Sequence, residues 1–275
     1  MNANIKDLFS LEGRVAIVTG GNGGIGKAFA CALASKGASI VVAARNQTKT
    51  AQTIKEIKKN YGTRVLGTEV DLLHEEQIDA MVKKALEDFG RIDILVNNAG
   101  IAEGKKPQDV SINEWDRVLN TNLRGTFLCS RAVYPHMKAK GGGKIINIGS
   151  MASIFGSALL SAYSASKGGI VQLTKSLAVA WAPDNIQVNV ILPGWYKTNL
   201  GEEARKADTT HESRIASLTP MGRWGETHEL GGAAIFLASH ASDFVTGVEL
   251  PVDGGYSICL NGMDGPFSPP IVVSK

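Results

Sequence analysis

The chain is 275 residues long, 44% hydrophobic and 20% charged, with a formal net charge of +3. A chain of this length buries roughly 70–75% of the surface its unfolded form exposes, enough for one domain without staples. The near balance of charge and the absence of a Lys/Arg cluster argue against nucleic acid as a partner. KEIKK at 55–59 reads instead as the solvated face of a helix. MNANIKDLFSLEGR lacks the apolar core of a signal peptide, and no apolar run reaches the ~18 residues of a bilayer span. A cytoplasmic protein with no membrane partner is expected. Cys31, Cys129 and Cys259 are scattered without a C-x-x-C pair, and the histidines at 74, 136, 211, 228 and 240 show no ligand spacing. Neither a disulfide framework nor a metal site is expected.

In chain order, VAIVT (15–19) reads as a buried strand, and TGGNGGIG (19–26) as the glycine-rich turn that leaves it. Ile25, Phe29 and Leu33 at i, i+4, i+8 form the stripe of a helix packed on a sheet. SIVVAA (39–44) and RVLGTEV (64–70) are the next strands, followed by a helix over about 74–89 and the strand ILVNN (94–98). A long helix runs from Asn113 toward Ala139, then IINI (145–148), a second long helix from near Ala162, and IQVNVIL (186–192). A last helix near Glu226–Ser239 leads to VELPV (248–252).

Strands apolar on both faces, alternating with helices, imply a seven-stranded parallel sheet covered on both sides. Right-handed crossovers make it a doubly wound α/β fold of Rossmann type, which binds ligands at the carboxyl ends of its strands. The glycine turn, Arg45, Asp71, NNAG (97–100), Ser150 and Pro193–Gly194 all fall at that edge. The glycine turn fits two registers: G-x-G-x-x-G from Gly21, and T-G-x-x-x-G-x-G from Thr19 through Gly20, Gly24 and Gly26. The glycines by themselves leave both open.

SAYSASK places Tyr163 and Lys167 at i, i+4 on one helix face, with Cβ atoms ~5–6 Å apart. A phenol of pKa about 10 is a poor base at neutral pH, and an adjacent ammonium favours the phenolate and lowers that value. Ser150 lies thirteen residues before Tyr163, where its hydroxyl could share a substrate oxygen with the tyrosine. Tyr and Lys four apart are common on helix surfaces, so this pair gains meaning only from what surrounds it.

T-G-x-x-x-G-x-G at 19–26, NNAG at 97–100, N-x-N-L-x-G at 120–125, Ser150, Y-x-x-x-K and P-G-x-x-x-T at 193–198 occur in order. On these motifs the chain resembles the short-chain dehydrogenase/reductase family over residues 10–257, and the register from Thr19 is the one that belongs with the rest. The resemblance implies a nicotinamide oxidoreductase with the tetrad Asn122, Ser150, Tyr163 and Lys167. Tyr163 would be the acid or base, Ser150 would orient the substrate oxygen, and Lys167 would bond the nicotinamide ribose and depress the tyrosine pKa. Asn122 would act through its main-chain carbonyl, with Gly125 weakening the helix just beyond.

The same resemblance maps cofactor contacts. Gly20, Asn22, Gly23, Gly24, Ile25 and Gly26 form the turn whose N–H groups face the pyrophosphate. Asp71 and Leu72 would edge the adenine, and Asn98, Ala99 and Gly100 would line its ribose, although NNAG can equally clamp strands together. Pro193, Gly194, Tyr196 and Thr198 would border the carboxamide, with Tyr196 standing as a changed pocket wall where Val or Ile is usual. At the end of the second strand the acidic position is Ala44, followed by Arg45. A guanidinium matches a 2′-phosphate, so NADP(H) is expected to be preferred, with NAD(H) as the alternative.

The polar segment 197–221 reads as a lid over the substrate, with Glu103, Ala152, Leu159, Leu160, Trp195 and Tyr196 as candidate walls. That mixture suits a small polar alcohol, and the likeness of LFSLEGRVAIVTG and PMGRWGE to sugar- and polyol-acting members points the same way. Reductases of 3-oxoacyl groups or cyclic ketones remain the alternative, and a non-catalytic NADP(H)-binding sensor a further one. Family members usually assemble as tetramers, and Ala162, Ala165, Gly168 and Gly169 would let helices of neighbouring subunits approach. The Gly- and Pro-rich extension 258–275 is either a tail or an arm to another subunit.

Overall fold

The computed structural model describes residues 8–198 and 210–259. Its seven strands are β1 (Val15–Thr19), β2 (Ser39–Ala43), β3 (Val65–Thr68), β4 (Ile94–Asn97), β5 (Gly143–Ile148), β6 (Ile186–Pro193) and β7 (Glu249–Val252). They form one sheet in the order β3-β2-β1-β4-β5-β6-β7, every pairing parallel. Strand order reverses beside β1, because β2 follows on one side and β4 on the other. The crevice above β1 and β4 is therefore the place where a doubly wound sheet receives a ligand.

Among the described residues eight α-helices accompany the sheet: α1 (Gly24–Ala34), α2 (Gln47–Tyr61), α3 (Glu75–Phe89), α4 (Ile112–Leu119), α5 (Gly125–Ala139), α6 (Ser161–Trp181), α7 (His211–Leu218) and α8 (Gly231–Ala238). One core packs α1 and α8 against one face through Phe29, Leu33, Leu230 and Leu237, all fully buried. The other packs α3, α5 and α6 against the opposite face through Ile78, Met81, Val133 and Leu177. Pure apolar runs such as VAIVT are explained by this double cover, since every residue of β1 and of β6 is buried. In α2, Lys55, Lys58 and Lys59 face solvent and Ile57 faces the core, as KEIKK suggested.

Two stretches differ from the sequence reading. The long helix expected from Asn113 toward Ala139 is interrupted by a π-helical turn, Asn120–Arg124, in which the Gly125 N–H donates to Asn120 O. A Cβ on Gly125 would lie 2.8 Å from Leu72 Cβ, so this glycine makes room for the loop after β3 as well as ending the turn. The polar segment 197–221 contains the helix α7, held by buried Ile215 and by a Trp224 Nε1–H bond to Glu212 O of 3.1 Å. The middle of that expected lid, residues 199–209, lies outside the described residues, as does the extension from 260 to 275. Among the described residues no helix is long and apolar enough to cross a membrane.

Candidate active site

The glycine turn settles its own register through sterics. Gly20 and Gly24 adopt left-handed φ of +65° and +50°, and a Cβ on Gly26 would sit 2.2 Å from Gly20 O. Gly23 has extended backbone and nothing within 4 Å of its Cβ position, so the fold makes no demand for glycine there. Gly21 is tight as well, with an added Cβ 2.8 Å from Val18 O, so it is the freedom at Gly23 that breaks the register counted from Gly21. Gly23 and Gly24 are exposed at the start of α1, whose N-terminus has no side-chain cap. Uncapped N–H groups with open space before them suit an anion such as a pyrophosphate. Ile25 turns its side chain onto the core beneath.

The NNAG segment is largely a clamp. Asn98 Nδ2 donates to Thr19 O at 3.0 Å and its N–H to Thr19 Oγ1 at 3.0 Å. The Ala99 N–H shares that oxygen at 3.1 Å. Asn97 Nδ2 reaches Ser130 Oγ and Asn147 Oδ1 at 3.0 and 2.9 Å, tying β4 to α5 and β5. Gly100, at the exposed end, is where the clamp meets the chemistry: a Cβ there would lie 3.2 Å from Asn122 Oδ1 and 3.7 Å from Lys167 Nζ.

Asn122 is fully buried in the π turn. Its Oδ1 accepts the Ile101 N–H at 2.8 Å, and its Nδ2 donates to Ile101 O at 2.9 Å and to Ser166 Oγ at 3.0 Å. Ser166 Oγ in turn donates to Tyr163 O at 2.7 Å. Asn122 thus fixes the loop after NNAG to α6, and its own main-chain carbonyl accepts from Thr126 Oγ1 at 2.7 Å. Ser150 follows β5 by two residues and caps a 3-10 turn, Met151–Ser153, by accepting the Ala152 N–H at 3.1 Å. Ser153 Oγ accepts the Ser150 N–H at 3.2 Å and donates to Lys167 O at 2.8 Å, which locks β5 to α6. Ser153 and Ser166 were not singled out in the sequence; the S-x-x-S spacing of the Ser150 cap was the available signal.

Tyr163 and Lys167 share one face of α6, with Lys167 Nζ 5.6 Å from the tyrosine ring centre. Lys167 Nζ donates to Ile148 O at 2.6 Å, and burial pushes its pKa down to about 8. Lys167 is not among the groups that shift the Tyr163 phenol here. Burial raises the phenol above its usual value, and the hydroxyl of Ser150 is what pulls it back. Burial disfavours charge on both groups, yet Lys167 at about 8 still carries its ammonium at neutral pH.

A family model described as enoyl-(acyl carrier protein) reductase matches residues 20–257. 2-Dehydro-3-deoxy-D-gluconate 5-dehydrogenase of Escherichia coli K12 is 42% identical over 253 residues, covering 92% of this chain and 98% of that protein. A crystallised short-chain type dehydrogenase/reductase from Mycobacterium marinum matches with a TM-score of 0.87 and 35% identity, over 93% of this chain and all of that one. The chain belongs to the short-chain dehydrogenase/reductase family. It is an oxidoreductase acting on CH–OH groups. A gluconate 5-dehydrogenase from Burkholderia cenocepacia J2315, crystallised with NADP and tartrate, is 39% identical with a TM-score of 0.88, over 94% of this chain and 100% of that one.

The remaining family positions divide into those at the crevice and those beneath it. Arg45 is exposed after β2, with Nη1 3.9 Å from Asp71 Oδ2. Asp71 Oδ1 accepts the Leu73 N–H at 3.1 Å. The Leu72 side chain is buried in the core, so only its main chain can edge a ligand. Thr198 lies over the glycine turn, with its Cγ2 3.8 Å from a Cβ built on Gly24. Gly194 is squeezed against Asp253, whose Cα would be 2.6 Å from an added Cβ. Pro193 closes β6 and is buried.

Tyr196 is corrected from pocket wall to core. It is 7% exposed, its hydroxyl donates to Val252 O at 2.8 Å, and Gly225 exists where its ring passes. Trp195 O and Lys197 N–H bond Gly225, so the main-chain groups of Tyr196 face the other way, as strand alternation requires. Of the other proposed walls, Trp195 stands against His211 and Trp224 at ring distances of 5.3 and 5.5 Å. Leu159 is exposed and Leu160 bridges Lys105, closing the loop after NNAG onto the segment ahead of Tyr163. Glu103 in that loop faces Arg117 at 3.6 Å. Gly169 is also corrected: its small size receives Leu123, 2.8 Å from an added Cβ, within the same subunit. Among the described residues no group of three or more metal-ligating side chains occurs.

Proposed function

We propose that this protein is an NADP(H)-preferring oxidoreductase that interconverts a secondary alcohol and a carbonyl on a polyhydroxy acid, with Tyr163 as the acid or base. The observation that carries the reading is the meeting of Ser150, Tyr163, Lys167 and Asn122 at one end of α6, beside an uncapped α1 N-terminus. In reduction, Tyr163 Oη gives its proton to the carbonyl oxygen; in oxidation it takes the proton from the alcohol. Burial holds the phenol protonated, so the reducing direction starts with the acid in place and oxidation gains with rising pH. The Ser150 hydroxyl, fixed by the Ala152 N–H, orients the same oxygen. Lys167 holds its ammonium beneath this pair, tethered by Ile148 O, and would donate to the ribose hydroxyls of a bound nicotinamide cofactor. When bound, NADP(H) supplies or receives the hydride.

Arg45 and the first turn of α2, which carries no acidic residue and is capped by Asn46, offer positive potential to a 2′-phosphate. The relatives support the substrate class: one is a 2-dehydro-3-deoxy-D-gluconate 5-dehydrogenase, and another, a gluconate 5-dehydrogenase, was crystallised with NADP and tartrate. A panel of gluconate, 5-ketogluconate, polyols, 3-oxoacyl esters and cyclic ketones, followed by NADPH absorbance, tests the reading. Turnover confined to 3-oxoacyl esters or cyclic ketones sinks it in favour of the second reading. That second reading draws on exposed Ile154, Phe155 and Leu159 between Ser150 and Tyr163. We also propose a homotetramer, the usual assembly of this family, with exposed Val179 and Phe244 as apolar surface available to a neighbouring subunit. Sedimentation at monomer mass would refute it.

A further inference from the structure

Asn22 sits in the middle of the glycine turn, where the family pattern accepts almost any residue, yet its side chain points away from the turn's own backbone. Its Nδ2 donates to Asn46 O at 3.0 Å and to Thr50 Oγ1 at 3.1 Å. Thr50 Oγ1 itself donates to Asn46 O at 2.9 Å, so the hydroxyl's lone pair is left to accept from Asn22. Asn46 Oδ1 accepts the Lys49 N–H at 2.9 Å, capping α2. Thr53 Oγ1 reaches back to Asn22 O at 3.5 Å. Thr50 and Thr53 are 1% and 2% exposed, which partly shields the bonds they make, whereas the bond from Asn22 to Asn46 O lies at the surface.

The consequence is a rigid link between two places that would hold different phosphates. One is the uncapped start of α1, two residues after Asn22. The other is the segment Arg45–Asn46, whose Arg45 side chain is 65% exposed and whose ion pair with Asp71 is long at 3.9 Å. Arg45 lies one peptide bond from the carbonyl that Asn22 grips. Without that grip the β2–α2 corner is still joined to the turn by the Gly20 N–H bond to Ala43 O at 2.7 Å and by the Thr53 contact, but neither of these holds Asn46.

We infer that Asn22 is a positioning residue for cofactor discrimination, a strut that holds Arg45 at the distance from the pyrophosphate turn that a 2′-phosphate requires. The inference rests on the NADP(H) reading of Arg45. It separates Asn22 from the rest of the turn: its neighbours serve either cofactor, whereas Asn22 serves the one that carries the extra phosphate. A dinucleotide without that phosphate draws nothing from the position of Arg45, so loss of the strut leaves it nearly untouched.

The test is calorimetric titration of NADP⁺ and NAD⁺ into the full chain, for wild type, Asn22→Ala, Arg45→Ala and the double variant. Asn22→Ala is expected to weaken NADP⁺ by about tenfold and NAD⁺ by less than about threefold, a loss of selectivity and not of binding as such. In the Arg45→Ala background, Asn22→Ala is expected to change NADP⁺ affinity no more than NAD⁺ affinity, because the strut then positions nothing. Thr50→Val, which keeps shape and removes the accepting hydroxyl, should move selectivity in the same direction to a smaller extent, with melting curves confirming a folded protein. Equal weakening of both cofactors by Asn22→Ala, or an undiminished NADP⁺ effect in the Arg45→Ala background, overturns the strut. A wild type that binds NAD⁺ as tightly as NADP⁺ overturns the reading of Arg45 and the strut with it, and is recognised before any variant is made.

Discussion

At the amino edge of the sheet, Asp93 precedes β4 and is 2% exposed; it accepts from Arg91 at 2.7 and 2.9 Å, from Lys140 Nζ at 2.6 Å and from the Val15 N–H at 2.9 Å. Lys144 at the same edge pairs with Asp243 at 2.8 Å, and Asp243 continues through His240 to Arg14. At the carboxyl edge Lys167 is 4% exposed, and Ile148 O is its hydrogen-bond acceptor, with no carboxylate paired to it among the described residues. Both edges bury charge, but only the amino edge neutralises it. A buried charge saturated with partners stabilises the fold and is inert; one held with few partners costs stability and keeps its proton and hydrogen bonds for a ligand.

The largest expected effect is on the saturated edge. Asp93→Ala leaves Arg91, Lys140 and the Val15 N–H without their acceptor, and a loss of about 3 kcal/mol in urea unfolding is expected. Burial opposes ionisation of Asp93, but the hydrogen bonds from Arg91 and Lys140 win and hold its carboxyl below the usual range. A depressed carboxylate contributes stability above its unfolded value, near pH 4, and loses it as pH falls through the folded one. The stability gap between wild type and Asp93→Asn should therefore close in acid and stay constant from pH 5 to 8; a gap that persists in strong acid contradicts the assignment.

On the other edge, Tyr163→Phe should lower kcat by ~10²-fold or more while NADP⁺ titration still shows binding. Retained turnover would remove Tyr163 from the proton transfer. Smaller and opposite in sign is Lys167→Met, expected to end turnover yet stabilise the fold by on the order of 1 kcal/mol at pH 7. The sign follows from burial, which depresses the folded pKa of Lys167 to about 8. The unfolded chain then binds more protons between about pH 8 and 10.5, so wild-type stability climbs across that window and the variant's does not. Ala44→Asp should exchange the cofactor preference, raising the KM for NADPH by about tenfold by placing a carboxylate where the 2′-phosphate is expected. Unchanged kinetics with both cofactors would refute the role given to this corner.

Much of this comparison was already written in one dimension. Apolar runs located all seven strands, because a sheet covered on both faces favours continuous apolar sequence, most completely in β1, β4 and β6. Order along the chain then placed the glycine turn, NNAG, Ser150 and Pro193–Gly194 at a common edge, since parallel strands all end on the same side. Tyr163 and Lys167 were readable as a pair from helical spacing. Local chemistry was less legible. Nothing in QTKTAQTI distinguishes Thr50 and Thr53 as buried partners of Asn22, because that contact joins residues 28 and 31 positions apart.

Sequence by itself thus determined the fold class, the strand edge that carries the site and the residue pair at its centre, all of which depend on period and order along the chain. Only the tertiary structure decided which glycines are strict, that Tyr196 belongs to the core, that Gly125 and Gly169 make room for Leu72 and Leu123, and that burial raises the Tyr163 pKa where the nearby lysine was expected to lower it. Those outcomes depend on close approaches between distant segments and on exclusion of water, and neither quantity exists until the chain has packed.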